Sequence, residues 1–380
     1  MEKIVLLGCT GSIGGSVLDV IRNYPDRFKL IGVSAFKNIK KLEKIIEEFS
    51  PSYVAIAKEE NSTIKKYPHV SFFFGEDGLN RIASLPEANT VVIGITGIAG
   101  LLPTISAIKN KKRILSANKE SIVVAGDIVQ SLLNKTKNRI IPLDSEHNAI
   151  FNIINRLDKR FIRKIYLTAS GGPFLKKEIN EKITTEDVLN HPTWNMGNYI
   201  TVNSATMMNK GFEVIEAHYL FNMNYEDINV LVHPQSLVHG MVETIDGSFL
   251  MAASPSDMRY PIALSLFYPE IPPSRFPALD LTKNNLEFQK PDLKKFPLLK
   301  LAYETGKAGG ILPAVLNAAN EVAVEAFLKK LINFIKLPKI IIKTVNEFDK
   351  EQTISNPSIE DIFETDKKAR EKALQIIKFS

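Results

Sequence analysis

A single cysteine, Cys9, among 380 residues excludes an intrachain disulfide and a zinc site built on cysteines, and it fits a reducing compartment. Tryptophan is equally scarce, with Trp194 standing alone. Charge of one sign never accumulates: the balance is +6 and the pI about 9.0, yet the longest basic cluster, Lys109 to Arg113, is broken by Asn110. No basic arm or aromatic-interleaved stripe accompanies it, so nucleic acid is not an expected partner. A lysine-rich surface would instead favour phosphorylated small molecules. The opening residues lack the charged, apolar and cleavage segments of a signal peptide and the composition of a transit segment, so a cytosolic setting is expected, or an organellar one after transit-peptide removal.

Long hydrophobic runs are also lacking. Ala88 to Ile108 carries no charge and is long enough to span a bilayer, but Gly94, Gly97, Gly100 and Pro103 interrupt it. Strand, glycine turn and a helix from about Leu101 is the expected reading, with no membrane partner.

What is present is ordinary globular material, 44% hydrophobic and 24% charged, in a chain long enough for two or three domains. Short β-branched runs at Ile4–Leu7, Leu30–Ser34, Tyr53–Ala57, Val91–Ile95, Ile114–Ser116 and Ile140–Leu143 alternate with helical stretches such as Ser16–Asn23 and Ile39–Phe49. That alternation predicts an α/β chain whose first 143 residues form a doubly wound, Rossmann-like parallel sheet with ligands at the strands' carboxyl ends. From Asp144 to Tyr268 a helix at Asn148–Leu157, a strand at Lys164–Thr168 and a hairpin of Val238–Ile245 and Phe249–Ala253 around Asp246–Gly247 predict an α+β catalytic domain. Its stretch of about 171–198 reads as a lid. Residues 269–293, rich in proline and polar groups, read as a linker. Periodic patterns at Leu298–Thr305, Ala314–Leu328, Lys339–Phe348 and Ile359–Ile377 predict a C-terminal helical bundle over 294–380.

The first strand feeds GCTGSIG, with Gly8, Gly11 and Gly14 three apart and a helix behind, the context a dinucleotide fingerprint requires. Its amides suit a pyrophosphate, although a tight turn without a ligand has the same look. An NAD site would end the second strand in an acid; here Ser34-Ala35-Phe36-Lys37-Asn38 offers none, and Lys37 would neutralise a 2′-phosphate. NADPH is the expected cofactor. Ser116-Ala117-Asn118-Lys119-Glu120 ends another strand near the expected nicotinamide, so Lys119 would hold substrate while Asn118 and Glu120 meet cofactor.

Leu143-Asp144-Ser145-Glu146-His147 sets two carboxylates one residue apart, on one side if the chain is extended. Mutual repulsion calls for a hard cation or a shared proton, though surface D-x-E pairs without a partner are common. With Glu213 as third ligand the set suits Mg2+ or Mn2+, with Co2+ a further candidate. His147 is a candidate fourth ligand, but it reads sooner as turned away or capping the next helix. Gly171 and Gly172 would hinge the lid, and Trp194 would be the cover that excludes water.

The region from His191 to Glu213 holds the remaining chemistry. A helix beginning near Ser204 would place Asn209 and Glu213 at i, i+4 and Lys210 and Glu213 at i, i+3. A serine at a helix start with an amide and an ammonium one turn on suits a phosphate; an N-cap serine with a surface Lys–Glu pair fits the same spacing.

Taken together, GCTGSIG, SANKES, DSEHNAIF, TASGGPF, HPTWNMG, NSATMMNKGFE, VHPQSLVH, SDMRYPI and LNAANEVAVEAF closely resemble the 1-deoxy-D-xylulose 5-phosphate reductoisomerase family over essentially the whole chain. The resemblance implies NADPH- and metal-dependent conversion of that sugar phosphate to 2-C-methyl-D-erythritol 4-phosphate for non-mevalonate isoprenoid synthesis, by a rearrangement described as retro-aldol then aldol, followed by hydride delivery. It implies a homodimer. It assigns the metal to Asp144, Glu146 and Glu213, the substrate backbone to Ser145 and Lys119, and the phosphate to Ser170, Ser204, Asn209 and Lys210. His191, Trp194 and Met196 would belong to the lid, Gly197 would touch the cofactor, and Met258 would flank the substrate. Thr10, Gly11, Ser12, Ile13, Lys37, Asn38, Asn118 and Glu120 would complete the NADPH site begun by Gly8. This chain departs from the usual residues at Phe36 (glycine), Tyr199 (lysine), Asn203 (aspartate) and Phe212 (leucine). A sugar-phosphate dehydrogenase without isomerase activity, or a non-catalytic NADP-sensing regulator, are the competing readings; neither needs three carboxylates around a metal.

Overall fold

The structure, a computed structural model, describes residues 1–194, 196–349 and 354–379. Among them the chain begins β1 (Glu2–Leu7), α1 (Ser12–Asn23), β2 (Phe28–Ala35), α2 (Ile39–Phe49), β3 (Tyr53–Ile56), α3 (Asn61–Lys66), β4 (Ser71–Phe74), α4 (Gly75–Ala83), β5 (Thr90–Ile93), α5 (Leu101–Lys109), β6 (Arg113–Ser116), α6 (Glu120–Thr136) and β7 (Ile140–Pro142). It continues α7 (Ser145–Ile154), β8 (Ile162–Ala169), α8 (Thr185–Leu189), α9 (Asn198–Ala205), α10 (Met208–Phe221), β9 (Ile228–Val232), β10 (Val238–Thr244), β11 (Phe249–Ala253) and α11 (Arg259–Phe267). Four helices close it: α12 (Pro297–Ala308), α13 (Leu312–Leu328), α14 (Lys336–Asp349) and α15 (Ile359–Lys378).

The chain folds into two compact units. The first comprises Met1–Ser121, Val129–Asn148 and Asp257–Ala278, and the second Ile122–Ile128, Ala149–Ser256 and Leu279–Ser380.

The first unit is a parallel sheet in the order β4-β3-β2-β1-β5-β6-β7. Ile4 to Leu7 are buried without alternation, as strands covered on both faces must be. α2 buries Leu42, Ile45 and Ile46 and turns its lysines and glutamates outward; Asn38 caps it by accepting from the Lys41 amide. Strand order reverses between β1 and β5, so the crevice for a ligand opens at their carboxyl ends. β4, with α3 and α4 around it, goes beyond the expected strands: four residues, Ser71 to Phe74, are too few to display a period.

Asp257–Ala278 belongs to the first unit, where α11 packs on α1 and covers Arg113. The Arg113 guanidinium, paired with Glu2 at 2.9 Å, donates to the carbonyls of Ser265 (2.6 Å) and Tyr268 (2.8 Å). Ser265 in turn donates to the Pro142 carbonyl at 2.9 Å and accepts from Asn148 at 2.8 Å. Polar ties of this kind leave no periodic signal in sequence.

The second unit carries a mixed sheet in the order β11-β10-β8-β9, parallel only between β8 and β9. Asp246–Gly247 makes the hairpin turn between β10 and β11, with Gly247 at φ 85°. Part of the expected linker is strand-like: Gln289 and Val232 exchange backbone hydrogen bonds of 2.9 and 2.8 Å along β9. α13 is buried along almost its whole length, with α12, α14 and α15 packed around it, which explains its apolar, small-residue sequence. Ser358 and Asp361 close a capping box at the start of α15. No helix among the described residues is long and apolar enough to cross a membrane, and Ala88 to Ile108 resolves into β5, a turn and α5.

Candidate functional site

At the carboxyl end of β1 the chain turns through Gly8 at φ 83°, where a Cβ would lie 2.7 Å from the Gly94 carbonyl oxygen beyond β5. Ser34 at the end of β2 holds this turn: its hydroxyl accepts from the Gly8 amide and its carbonyl from the Cys9 amide, both at 2.9 Å. A Cβ on Gly14 would fall 2.3 Å from the Gly8 carbonyl, so only glycine lets α1 sit this close to the turn. Gly11 and Ser12 are exposed, Thr10 and Ile13 partly so, and no side chain caps α1. The start of α1 therefore keeps donors directed outward, as an anionic diphosphate requires. Cys9 is fully buried, and burial pushes its thiol up to about 12, which removes it as a nucleophile.

Beyond β2, Phe36 is 70% exposed and the Lys37 ammonium lies 5.3 Å from its ring centre. Asn38 spends its side-chain oxygen on capping α2. Lys41, to which the sequence pattern assigned no role, reaches the Thr10 carbonyl at 3.0 Å and brings a second ammonium to the glycine turn. The three-residue step from the cap Asn38 to Lys41 is the signal that could have found it.

After β6, Asn118 is fully buried. Its amide nitrogen bonds the carbonyls of Ile95 (3.0 Å) and Gly97 (2.9 Å) and the Glu120 carboxylate (3.2 Å), and its oxygen takes the Ser121 amide at 3.0 Å. The Asn118 side chain thus braces the loop that presents Lys119. Lys119 is paired with Asp144 at the end of β7.

The expectation of an extended D-x-E does not hold. Asp144, two residues past β7, caps α7, its Oδ1 accepting from the amides of Glu146 (3.1 Å) and His147 (3.4 Å), because an aspartate before a helical run satisfies the first free donors. Glu146 accordingly sits in the first turn of α7, where Ser145 donates to its carboxylate. His147 neither faces away nor caps: it is buried with Nδ1 3.4 Å from Asp144 Oδ1. Met258 lies in this unit, immediately before α11.

In the second unit β8 ends at Ala169, and Ser170, Gly171 (φ 82°) and Gly172 (φ 65°) turn the chain away. The expected lid from 171 to 198 is irregular apart from α8, whose Thr184–Asp187 capping box fixes one turn; Asn195 lies outside the described residues. His191 organises the distal end of this segment. Its Nε2 stands 3.1 Å from both Ser170 Oγ and Ser204 Oγ, while Nδ1 accepts from the amides of Thr193 (3.2 Å) and Trp194 (2.9 Å). A nitrogen that accepts twice carries no proton, so the ring is neutral with its hydrogen on Nε2. Burial holds its pKa below 6.5 and favours that state. The Trp194 indole lies 6.0 Å from the His239 ring on β10, a neighbour that the VHPQSLVH motif did not disclose. Met196 is half-buried, and Gly197 stands exposed before α9.

Ser204 is not at a helix start. It sits in the last turn of α9; Thr206 bonds back to the carbonyls of Val202 and Asn203, both at 3.2 Å, and Met207 then adopts φ 59° before α10 begins at Met208. A left-handed methionine costs roughly 1–3 kcal/mol, which the surrounding packing must offset. The helix start therefore falls around Asn209 and Lys210, in the first turn of α10. Asn209 donates to Glu213 Oε1 at 2.6 Å and Lys210 pairs with Glu213 Oε2, with Lys210 and Glu213 both buried. A surface pair is thereby excluded.

Three sequence families match this chain: 1-deoxy-D-xylulose 5-phosphate reductoisomerase over residues 4–126, its C-terminal domain over 140–221, and the DXP reductoisomerase C-terminal domain over 253–372. The reductoisomerase of Thermodesulfovibrio yellowstonii is 48% identical over 98% of both chains. The chain belongs to the 1-deoxy-D-xylulose 5-phosphate reductoisomerase family. The reductoisomerase of Pelotomaculum thermopropionicum is 46% identical over 100% of this chain and 99% of its own. Among solved structures, a reductoisomerase complexed with NADPH, fosmidomycin and magnesium superposes with a TM-score of 0.93 at 39% identity, covering 100% of this chain and 98% of the other. The Zymomonas mobilis enzyme in complex with NADPH gives 0.89 at 38% identity, covering 99% of both.

Proposed function

We propose that this member of the reductoisomerase family converts 1-deoxy-D-xylulose 5-phosphate to 2-C-methyl-D-erythritol 4-phosphate with NADPH and a divalent cation, in non-mevalonate isoprenoid synthesis. The observation that carries this is the match to named reductoisomerases along the whole chain. When bound, the cation supplies Lewis acidity toward carbonyl and hydroxyl oxygens and NADPH supplies hydride.

The residues present fit both groups. The turn at Gly8, the uncapped α1 and the ammoniums of Lys37 and Lys41 suit a dinucleotide carrying a 2′-phosphate. Thr10, Gly11, Ser12, Ile13, Asn38, Asn118, Glu120 and Gly197 complete this reading of the NADPH site. Asp144, Glu146 and Glu213 are hard oxygen donors suited to Mg2+ or Mn2+, with Co2+ as a further candidate.

Lys119, paired with Asp144, is placed to hold substrate and to stabilise oxyanion charge as it develops. Ser145 orients the substrate backbone beside it. Ser170, Ser204, Asn209 and Lys210 hold the phosphate, and the neutral His191 spans two of them. Trp194 and Met196 cover the site against water, and Met258 flanks the substrate. We assign cofactor binding to residues 1–143, catalysis to 144–268 and structural support to the helices of 294–380. A homodimer is part of the proposal, supported by the edge strand β11, whose Phe249, Leu250 and Met251 are 45%, 40% and 49% exposed. We place the enzyme in the cytoplasm or a plastid-type organelle, a setting consistent with its single buried cysteine.

The test is NADPH oxidation upon addition of 1-deoxy-D-xylulose 5-phosphate, abolished by chelation and restored by Mg2+ or Mn2+. Glu213→Gln should lose turnover while keeping its NADPH affinity. Full turnover in that variant would refute the metal assignment.

A further inference from the structure

The segment Leu316 to Phe327, LNAANEVAVEAF, takes no part in the chemistry proposed above, yet Asn317 and Asn320 within it are completely buried. Buried amides persist where their hydrogen bonds are needed. Asn320 on α13 places Nδ2 3.0 Å from Tyr199 Oη and 3.0 Å from Asn203 Oδ1. An amide nitrogen carries two hydrogens, so it satisfies both acceptors at once. Tyr199 and Asn203 are i, i+4 on α9 and share the face that meets α13. Ser204 follows Asn203 directly. One turn back on α13, Asn317 donates to Glu321 at 3.1 Å, and Arg370 on α15 bonds both Glu321 and Asp366. Hydrogen bonds thus anchor the helix carrying Ser204 to α13, which is itself tied to α15.

The three side chains joined here are a phenol and two carboxamides. An aspartate introduced at the buried position 203 would stand without a partner, the costly half of an ion pair, and a lysine at position 199, one turn earlier on α9, would supply one.

We infer that Tyr199, Asn203 and Asn320 form a neutral positioning set that holds α9 so that Ser204 meets His191 and the substrate phosphate. The inference rests on the phosphate reading of Ser204. Asn320→Leu removes the shared donor, and KM for 1-deoxy-D-xylulose 5-phosphate should rise about tenfold, with kcat and the Kd for NADPH held within about twofold. A purely structural role would lower Tm and leave KM unmoved. Asn203→Asp should raise KM further, and Tyr199→Lys with Asn203→Asp should restore it to within about twofold of wild type. An unchanged KM in Asn320→Leu, or a double variant no better than Asn203→Asp, overturns the inference; if Asn320→Leu does not fold, the 199/203 pair decides by itself. Failure of the underlying reading looks different: Ser204→Ala would leave KM unmoved, while the coupling between positions 199 and 203 would still be read in Tm.

Discussion

The His191 ring can be dissected nitrogen by nitrogen, because its two sides serve different partners. Nδ1 takes two amides of the covering loop, and Nε2 bridges two serine hydroxyls. His191→Asn keeps an acceptor near the Nδ1 position and loses the bridge. His191→Gln keeps a polar terminus near Nε2 and leaves the loop amides without their acceptor, and His191→Phe loses everything. His191, Thr193 and Trp194 are only half-buried, so each lost hydrogen bond is worth about 1 kcal/mol, the middle of the net range, and the single Nε2 hydrogen shared by two hydroxyls counts as one bond. The predicted rise in KM for the sugar phosphate is then about fivefold for Asn, about thirtyfold for Gln and about 150-fold for Phe, at roughly 1.4 kcal/mol per decade. Initial rates of NADPH oxidation at saturating cofactor and metal give the three values. Trp194 is the only tryptophan and its amide is one of the bonds cut, so its emission should shift in the Gln and Phe variants and stay close to wild type in Asn. A Phe variant within about twofold of wild type, or an Asn variant worse than Phe, would refute the reasoning.

Protonation makes the same cut reversibly. The unfolded imidazole titrates near 6.5 and the folded one lower, so below 6.5 the unfolded chain binds more protons than the native one. The stability owed to the neutral ring is complete above 6.5 and declines as pH falls from there to the depressed folded value. KM should rise over the same window. Subtracting the profile of His191→Asn, which has no ring to titrate, removes the substrate's own second ionisation near about pH 6.

Gly14→Val drives a side chain into the Gly8 carbonyl, and loss of NADPH binding in titration calorimetry is expected; retained affinity would show that the turn has another purpose. Lys37→Ser should weaken NADPH about tenfold and leave NADH unchanged, and equal weakening of both would remove the 2′-phosphate assignment. Leu250→Lys with Met251→Lys should give a monomer by light scattering at micromolar concentration, whereas an undiminished dimer mass would exclude β11 as the interface.

The parallel sheet was legible because its strands are unbroken apolar runs between glycine turns, and the helices of 294–380 because their periods are long. β4 escaped for want of length, and α11 because the sequence between the hairpin and the proline-rich stretch carries no sign that Arg113 waits for its carbonyls. At the candidate site, residue types and short helical spacings were readable: Asn209 and Lys210 do converge on Glu213. Helix boundaries were not, since Thr206 prolongs α9 by bonding backward and Met207 takes a left-handed conformation that sequence does not announce. The same limit hid the cap formed by Asp144, where strand gives way to helix across two residues. His191 as the link between Ser170 and Ser204 depends on contacts across 21 and 13 residues, beyond any local pattern.

The return of Asp257–Ala278 to the first unit bears on how the chain is made. By Asn148 a ribosome has delivered every strand of the parallel sheet, but α11 and the carbonyls that receive Arg113 lie more than a hundred residues ahead. At about 10 residues per second that is roughly ten seconds during which one flank of the sheet stands uncovered. Synthesis of the enzyme thus includes an interval in which a nascent nucleotide-type sheet must be kept from other chains, and a product ending before residue 257 would carry that exposed flank permanently.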